Sequence, residues 1–324
     1  MPPTLNVKSE IQAQTHKAPG ADLPAEPRHR ETCNVCGRRI EDPSTQLVRI
    51  RCNVRRFAHE YFHMWRCRRC RCMHCWEHVH LDAYYEDYGS QRMQLDFFLK
   101  RAYKQLYRHF WNAGMRRDHR FLDYGCGAGH FVTYLRGRGH RQAVGYDPYG
   151  RADGWIDRSV LQPESYDFIN LYDVIEHVED PTRLLSDLAG MLRPGGVLLV
   201  GTPSADEIDL RMAHEYLHHI HLPYHLHIYT RDVLAQMALA LGMEPIAYYR
   251  RYYLENLFFG MNEAFLRRYM EMVDDTIDTL LDPPRYGLIF TSPTLICHGA
   301  FGYFYSRPHS LTVVYRKQAL RSVA

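Results

Sequence analysis

Asp123-Tyr124-Gly125-Cys126-Gly127-Ala128-Gly129 decides how the rest of this chain is read. It follows a short apolar run, Arg120-Phe-Leu-Asp-Tyr, and leads into a helical pattern over residues 130–136. Glycine suits a strand-to-helix turn because it tolerates positive φ and has no Cβ to hold a ligand off the backbone. The helix start leaves N–H groups without intrahelical partners, aimed at that ligand. The next apolar run, residues 143–147, ends in Asp147, twenty residues after Gly127. A carboxylate there can accept hydrogen bonds from both hydroxyls of a ribose. The glycines fall as G-x-G-x-G, not the dinucleotide spacing G-x-G-x-x-G, and no Lys-Ser/Thr follows, which excludes a P-loop.

Working outward, residues 120–125, 143–147, 166–173, 197–202, 245–253 and 311–316 read as strands. Residues 91–113, 130–136, 181–192 and 230–242 read as helices, Pro181 suiting a first turn and Gly242 an end. Strands alternating with helices imply an α/β fold with a mainly parallel sheet covered on both faces. No repeat at a fixed period is visible. The 324 residues suffice for about two domains. A content of 46% hydrophobic and 24% charged residues is that of a globular chain and excludes collagen, coiled coil and global disorder. Lys and Arg number 40 against 37 acids, so the balance gives no global pull toward nucleic acid or an anionic membrane. Met1-Pro-Pro-Thr-Leu has no apolar run, and Pro293, Gly299 and Gly302 interrupt the longest uncharged stretch, residues 287–306. Neither a secretory signal nor a membrane span is expected, and the cytoplasm is the expected compartment.

Further matches follow in order: Val144-Gly-Tyr-Asp147, Tyr166-Asp-Phe-Ile, Asp173-Val-Ile-Glu-His-Val-Glu-Asp-Pro181, Leu192-Arg-Pro-Gly-Gly196 and Thr202-Pro203. With these the chain resembles the class I S-adenosylmethionine (SAM)-dependent methyltransferases over about residues 84–253, plus the last strand. The resemblance implies a Rossmann-like, seven-stranded sheet with an antiparallel last strand, its third strand falling near residues 154–157. It implies SAM as cofactor. Asp123, Gly125, Cys126, Gly127 and Gly129 would form the cradle, with Asp123 ordering the loop. Asp147 and Pro148 would lie at the ribose, Asp157 at the adenine and Asp173 at the rim of the cleft.

Seven of the nine cysteines lie between residues 33 and 75. Clustered CxxC pairs in a reducing compartment bind metal more often than they form disulfides. Cys33-Asn-Val-Cys36-Gly37 and Cys67-Arg-Arg-Cys70 together offer four thiolates, the set for structural zinc. Cys72-Met-His-Cys75 is an alternative second pair, and Cys52, His74 and His78 are spare ligands. The CxVCG and CxxC pattern followed by Tyr84-Tyr85-Glu-Asp-Tyr88 resembles the N-terminal zinc module of sugar C-methyltransferases, which implies Cys33, Cys36, Cys67 and Cys70. Residues 28–71 also hold twelve arginines and four acids. That charge fits an acidic or phosphorylated partner, or arginines paired within the chain.

Six histidines lie between residues 214 and 227, after the expected fifth strand. Methyl transfer to a protonated acceptor needs a base, and His is the usual choice near neutral pH. Tyr224-His225-Leu226-His227-Ile228-Tyr229-Thr230 is similar to the E-H-L-x-x-F-S segment of the sugar enzymes, which makes His225 the first candidate base. His221 and His177 are second candidates. Tyr224 replaces that pattern's acid, so the same substrate does not follow. A second metal site lacks acids beside these histidines.

The expected organisation is a disordered Pro-rich arm (1–30), a zinc-ribbon-like module (31–80), a helical linker or lid (81–118) and a SAM-binding domain (119–324). An insertion (254–310) would hold one helix over residues 263–281 and then an aromatic stretch, with Cys297 a small buried hydrophobe. The expected function is SAM-dependent methylation of a small-molecule acceptor at C, N or O. A nucleic-acid or protein methyltransferase guided by the arginine-rich module, and a non-catalytic SAM-binding scaffold, are the rivals.

Overall fold

A computed structural model describes residues 29–79, 81–85, 94–149 and 155–319. The strands are β1 (Val48–Arg51), β2 (Tyr61–Arg66), β3 (Met73–Cys75), β4 (Phe121–Tyr124), β5 (Ala143–Tyr146), β6 (Tyr166–Tyr172), β7 (Leu192–Pro203), β8 (His227–Ile228), β9 (Met243–Tyr249) and β10 (Ser310–Lys317). The longer helices are α1 (Phe97–Asn112), α2 (His130–Gly137), α3 (Pro181–Met191), α4 (Arg231–Ala240), α5 (Glu263–Val273) and α6 (Pro293–Tyr305).

Successive side chains of a strand face opposite sides of a sheet, so buried Phe121 and Leu122 on β4 require cover on both. They receive it. Phe121 packs with Leu99, Leu106 and Phe110 of α1 and Phe131 and Leu135 of α2. Leu122 packs with Leu184, Leu185 and Leu188 of α3 and Val233 and Leu234 of α4. The sheet order is β5-β4-β6-β7-β10-β9. Pairs among β5, β4, β6 and β7 are parallel, and β10 is antiparallel to both neighbours. Strand order therefore reverses at β4 and β6, and a ligand crevice is expected beyond their carboxyl ends.

Of the expected linker or lid over 81–118, residues 86–93 lie outside the described residues, and α1 packs into the core. Asp96 caps α1 by accepting from Leu99 N at 2.8 Å, and the helix lays Leu99, Ala102, Tyr103, Leu106 and Phe110 into the core. Burying side chains such as Leu106 and Phe110 stabilises by about 1.5–3 kcal/mol each. The third strand is absent from the sheet among the described residues, which has six strands. Residues 150–154 lie outside the described residues, and Trp155 bends back, its carbonyl accepting from Asp147 N at 2.8 Å. Of the expected disordered arm over 1–30, residues 1–28 lie outside the described residues. Arg30 is buried, and its guanidinium pairs with Glu179.

The insertion is a cap of helices around Phe265, Tyr269, Ile289 and Leu295. The expected single helix over 263–281 breaks into α5 and a short turn, Asp278–Leu281, because Asp275 takes a left-handed φ of 54° between them. Cys297 is exposed on α6, not buried. No helix among the described residues is long and apolar enough to cross a membrane.

The cysteine-rich segment forms an antiparallel sheet, β1-β2-β3, that takes β8 from the main body as its fourth strand. Its arginines are largely engaged within the chain. Arg51 pairs with Asp275, and Arg55 with Asp274 and Asp282, all in the insertion. Arg38 and Arg68 pair with Glu41, and Arg39 with Glu31.

Candidate functional site

The glycine loop closes the crevice at β4 and β6. Gly125, Gly127 and Gly129 have φ of 79°, 53° and 72°, a region costly to residues with a Cβ. Gly125 N donates to Tyr146 O at 2.7 Å. A Cβ on Gly125 would stand 2.2 Å from Val174 Cγ2, and one on Gly129 would stand 2.2 Å from the Trp155 ring. A Cβ on Gly127 would meet nothing within 4 Å, so this is the loop's open side. Asp147 steers it, accepting from Gly127 N through Oδ2 and from Tyr149 N through Oδ1, both at 2.8 Å. Pro148 is exposed beside it. Cys126 is half-buried, its Sγ packed against the place where a Gly145 Cβ would stand. Asp123 lies under the loop and accepts from Asn170 Nδ2 at 2.7 Å. Burial pushes its pKa up to about 7 against the opposing Asn170 bond. Asp157 is exposed and spends its carboxylate on Ser159, capping the turn Arg158–Val160.

Across the crevice, Asp173 follows β6 with a left-handed φ of 55°. Burial lifts its carboxyl to about 7, although Tyr252 OH donates to it. The chain then turns through Ile175–His177. Here the structure gathers all three candidate bases. The His177 and His225 ring centroids are 4.7 Å apart, and those of His221 and His225 are 5.1 Å apart. His225 Nδ1 lies 2.8 Å from His219 O and His177 Nδ1 lies 2.9 Å from Tyr224 O. A carbonyl only accepts, so both Nδ1 atoms carry the proton and both Nε2 atoms keep a lone pair. His221 has a left-handed φ of 42° and lies 2.6 Å from Asn53 Oδ1 through Nδ1. Non-glycine residues held in this region cluster where a site demands it. Burial holds His177 down to about 4 and His221 to about 3, and His225 well below its ordinary value. All three are neutral imidazoles at pH 7.

Two partners in this site escaped the reading of the sequence. Glu176 is wholly buried, and neither carboxylate oxygen has a hydrogen-bond partner among the described residues. Its oxygen and ring nitrogens of His177 and His225 lie within 4.8 Å of one another, close enough to hold a cation together. Tyr85 OH is 3.0 Å from His177 Nδ1, and its ring stacks on Tyr149 at 5.0 Å. Tyr85 thus links the loop after Asp147 to the histidines. Glu176 stands in the Asp173-Val-Ile-Glu-His segment, where its burial could not be seen. A groove of about 250 Å³ lined by Arg55, Arg56, Phe57, Tyr84 and Tyr224 opens beside them, and Tyr224 stacks on His221 at 4.6 Å.

Cys33, Cys36, Cys67 and Cys70 bring their sulfurs within 4.8 Å of one another, which suits a tetrahedral ion. Two matching turns do this. Gly37 N donates to Cys33 O at 3.0 Å, and Arg71 N donates to Cys67 O at 2.9 Å. Gly37 and Arg71 take φ of 68° and 63°, so Arg71 adopts a glycine-like backbone at the second turn. Cys52 and Cys75 lie instead in an apolar cluster with Phe62, Met64 and Ile220. Cys72 is buried next to the four, and His74 Nε2 lies 3.2 Å from Cys33 Sγ.

Comparison with known proteins agrees with this geometry. Residues 95–248 match the family described as a methyltransferase domain. Ubiquinone biosynthesis O-methyltransferases are similar in part. That of Parvibaculum lavamentivorans is 51% identical over 39 residues, 12% of this chain and 15% of the relative. That of Aeromonas salmonicida is 29% identical over 101 residues, 26% of this chain and 42% of the relative. The chain thus spans less than half the length of these relatives. Among solved structures, a SAM-dependent methyltransferase from Archaeoglobus fulgidus has a TM-score of 0.43 at 15% identity, over 73% of this chain and 100% of its own. The 1,6-didemethyltoxoflavin-N1-methyltransferase of Burkholderia thailandensis scores 0.38 at 14% identity, over 73% and 81%. Residues 95–248, just under half of the chain, thus carry a methyltransferase domain, its motifs in order along a sheet wound β5-β4-β6-β7-β10-β9.

Proposed function

We propose that the chain moves a methyl group from SAM to a small-molecule acceptor, with His225 as the base and with zinc held by Cys33, Cys36, Cys67 and Cys70. The observation that carries this reading is the meeting of His177, His221 and His225 at the crevice that the glycine loop and Asp173 enclose. SAM, when bound, supplies an electrophilic methyl group on a sulfonium. Gly125, Gly127 and Gly129 offer backbone close approach to it, Asp147 the carboxylate for its ribose, and half-buried Asp173 a carboxyl group able to meet its cationic end. His225 presents its Nε2 lone pair and takes the acceptor's proton as the new bond to methyl forms. Zinc fits the four converging thiolates, and there it supplies folding energy to a segment with few aliphatic residues.

A small acceptor is favoured over nucleic acid because the module's arginines already face Glu41, Glu31 and the insertion's Asp274, Asp275 and Asp282. The test is transfer of labelled methyl from SAM into a mixed small-molecule extract. We expect product with the native chain and at least a tenfold slower rate for His225→Ala at unchanged SAM affinity. Native turnover in that variant would remove His225 as the base, and label appearing only in added RNA or protein would overturn the acceptor class.

A further inference from the structure

The insertion meets the histidine run at a second group of ligand atoms. His218 and His219 sit on the single helical turn Leu217–Ile220, with ring centroids 4.0 Å apart. Glu263 opens α5, where Asn262 caps the helix by accepting from Phe265 N at 3.0 Å. Glu263 Oε1 lies 2.6 Å from His218 Nε2 and 3.4 Å from His219 Nε2. All three atoms are buried, and none has a hydrogen-bond partner among the described residues. The short approaches therefore lack hydrogen-bond alignment. His219 and Glu263 are each only 8% exposed, and His218 is half-buried.

Two imidazole nitrogens and one carboxylate oxygen converging on a point are a divalent-metal donor set. The three atoms lie within 4.8 Å of one another. A buried carboxylate needs a compensating positive charge, and burial makes that charge costly for a histidine to carry. Next to this set stands His309, its ring 5.1 Å from His219 and its Nδ1 buried without a partner among the described residues.

We propose that His218, His219 and Glu263 bind a divalent transition-metal ion of the zinc type, at a site separate from the four cysteines. The ion would join α5 of the insertion to the turn before His221. Because His219 O accepts from His225 Nδ1, it would also fix the backbone that orients His225. The site does not depend on the chain's being a methyltransferase, because its donors stand outside the glycine loop and the Asp173 turn.

The test uses the full chain loaded with zinc(II), freed of loosely bound metal, and analysed for metal per protein. We expect about two equivalents in the native chain. Glu263→Gln and His218→Ala should each lose one, while Cys33→Ser with Cys36→Ser loses the other and keeps this one. Unchanged metal content in Glu263→Gln and His218→Ala overturns the site and leaves a buried His–Glu ion pair. Cobalt(II) titration of the native chain guards against variants that do not fold. A second binding step without thiolate-to-metal absorption, absent in a folded Glu263→Gln chain, supports the site, and a spectrum of the sulfur site alone overturns it.

Discussion

His74 Nδ1 stands 2.9 Å from His227 Nδ1, and this contact joins the cysteine module to the methyltransferase body. One ring must donate and the other accept. His74 Nε2 lies 3.2 Å from Cys33 Sγ, so a zinc-bound thiolate at Cys33 would take a proton from His74 Nε2 and leave His227 Nδ1 as the donor. The pair lies where β3 meets β8, with His74 opposite His227 in the register. From there Leu226 reaches both ways, its carbonyl accepting from Cys75 N at 2.9 Å and its N–H donating to Glu176 O at 2.8 Å. The proposed zinc site and His225 therefore stand at two ends of one short segment.

We expect His74→Ala to weaken zinc binding at the four cysteines by about 10- to 100-fold, the usual cost of losing a ligand's hydrogen-bond partner. Competition with a coloured chelator measures it. An unchanged affinity would show that His74 only fills space between Trp65 and His227.

Asp147→Ala should weaken SAM binding by about 10- to 100-fold. It removes a charged acceptor worth about 1.5–3 kcal/mol per hydrogen bond, and it frees Gly127 N and Tyr149 N. Calorimetric titration reads this directly. Native affinity would move the ribose site elsewhere on the chain.

Asp173 makes stability depend on pH without cofactor. Its carboxyl is raised from 3.8 to about 7 by burial, against the Tyr252 bond. The folded state thus prefers the protonated form, and this contribution is full below pH 3.8 and lost as pH rises through about 7. Asp173→Asn, which cannot ionise, should melt close to the native chain at about pH 4. By about pH 8 it should gain up to about 4 kcal/mol over the native chain, at about 1.4 kcal/mol for each tenfold change in proton affinity. A constant difference across that range would mean that Asp173 ionises freely.

His225 is held well below 6.5, chiefly by burial and then by His177 and His221. Turnover should stay flat as pH falls from about 8 to 6.5, with its acid limb lower still. A limb at or above 6.5 would assign the step to another group.

The sequence by itself determined what depends on local spacing. The glycines of Gly125–Gly129 demand positive φ. The apolar runs at Phe121, Val144 and Phe168 demand a covered parallel sheet, and Leu99, Leu106 and Phe110 fall on one helical face. Each follows from sterics or period within a few residues. The two CxxC pairs are visible in the sequence, but Cys67 and Cys70 become the partners of Cys33 and Cys36 only because the fold carries Cys52 and Cys75 into the apolar core. Among the described residues no third strand forms near 154–157, and Trp155 packs its ring against the glycine loop. The acids beside the histidines cannot be found by scanning the run. Glu176 arrives from the turn after β6 and Glu263 from the insertion, and burial, which only tertiary packing creates, is what leaves their oxygens facing the imidazoles.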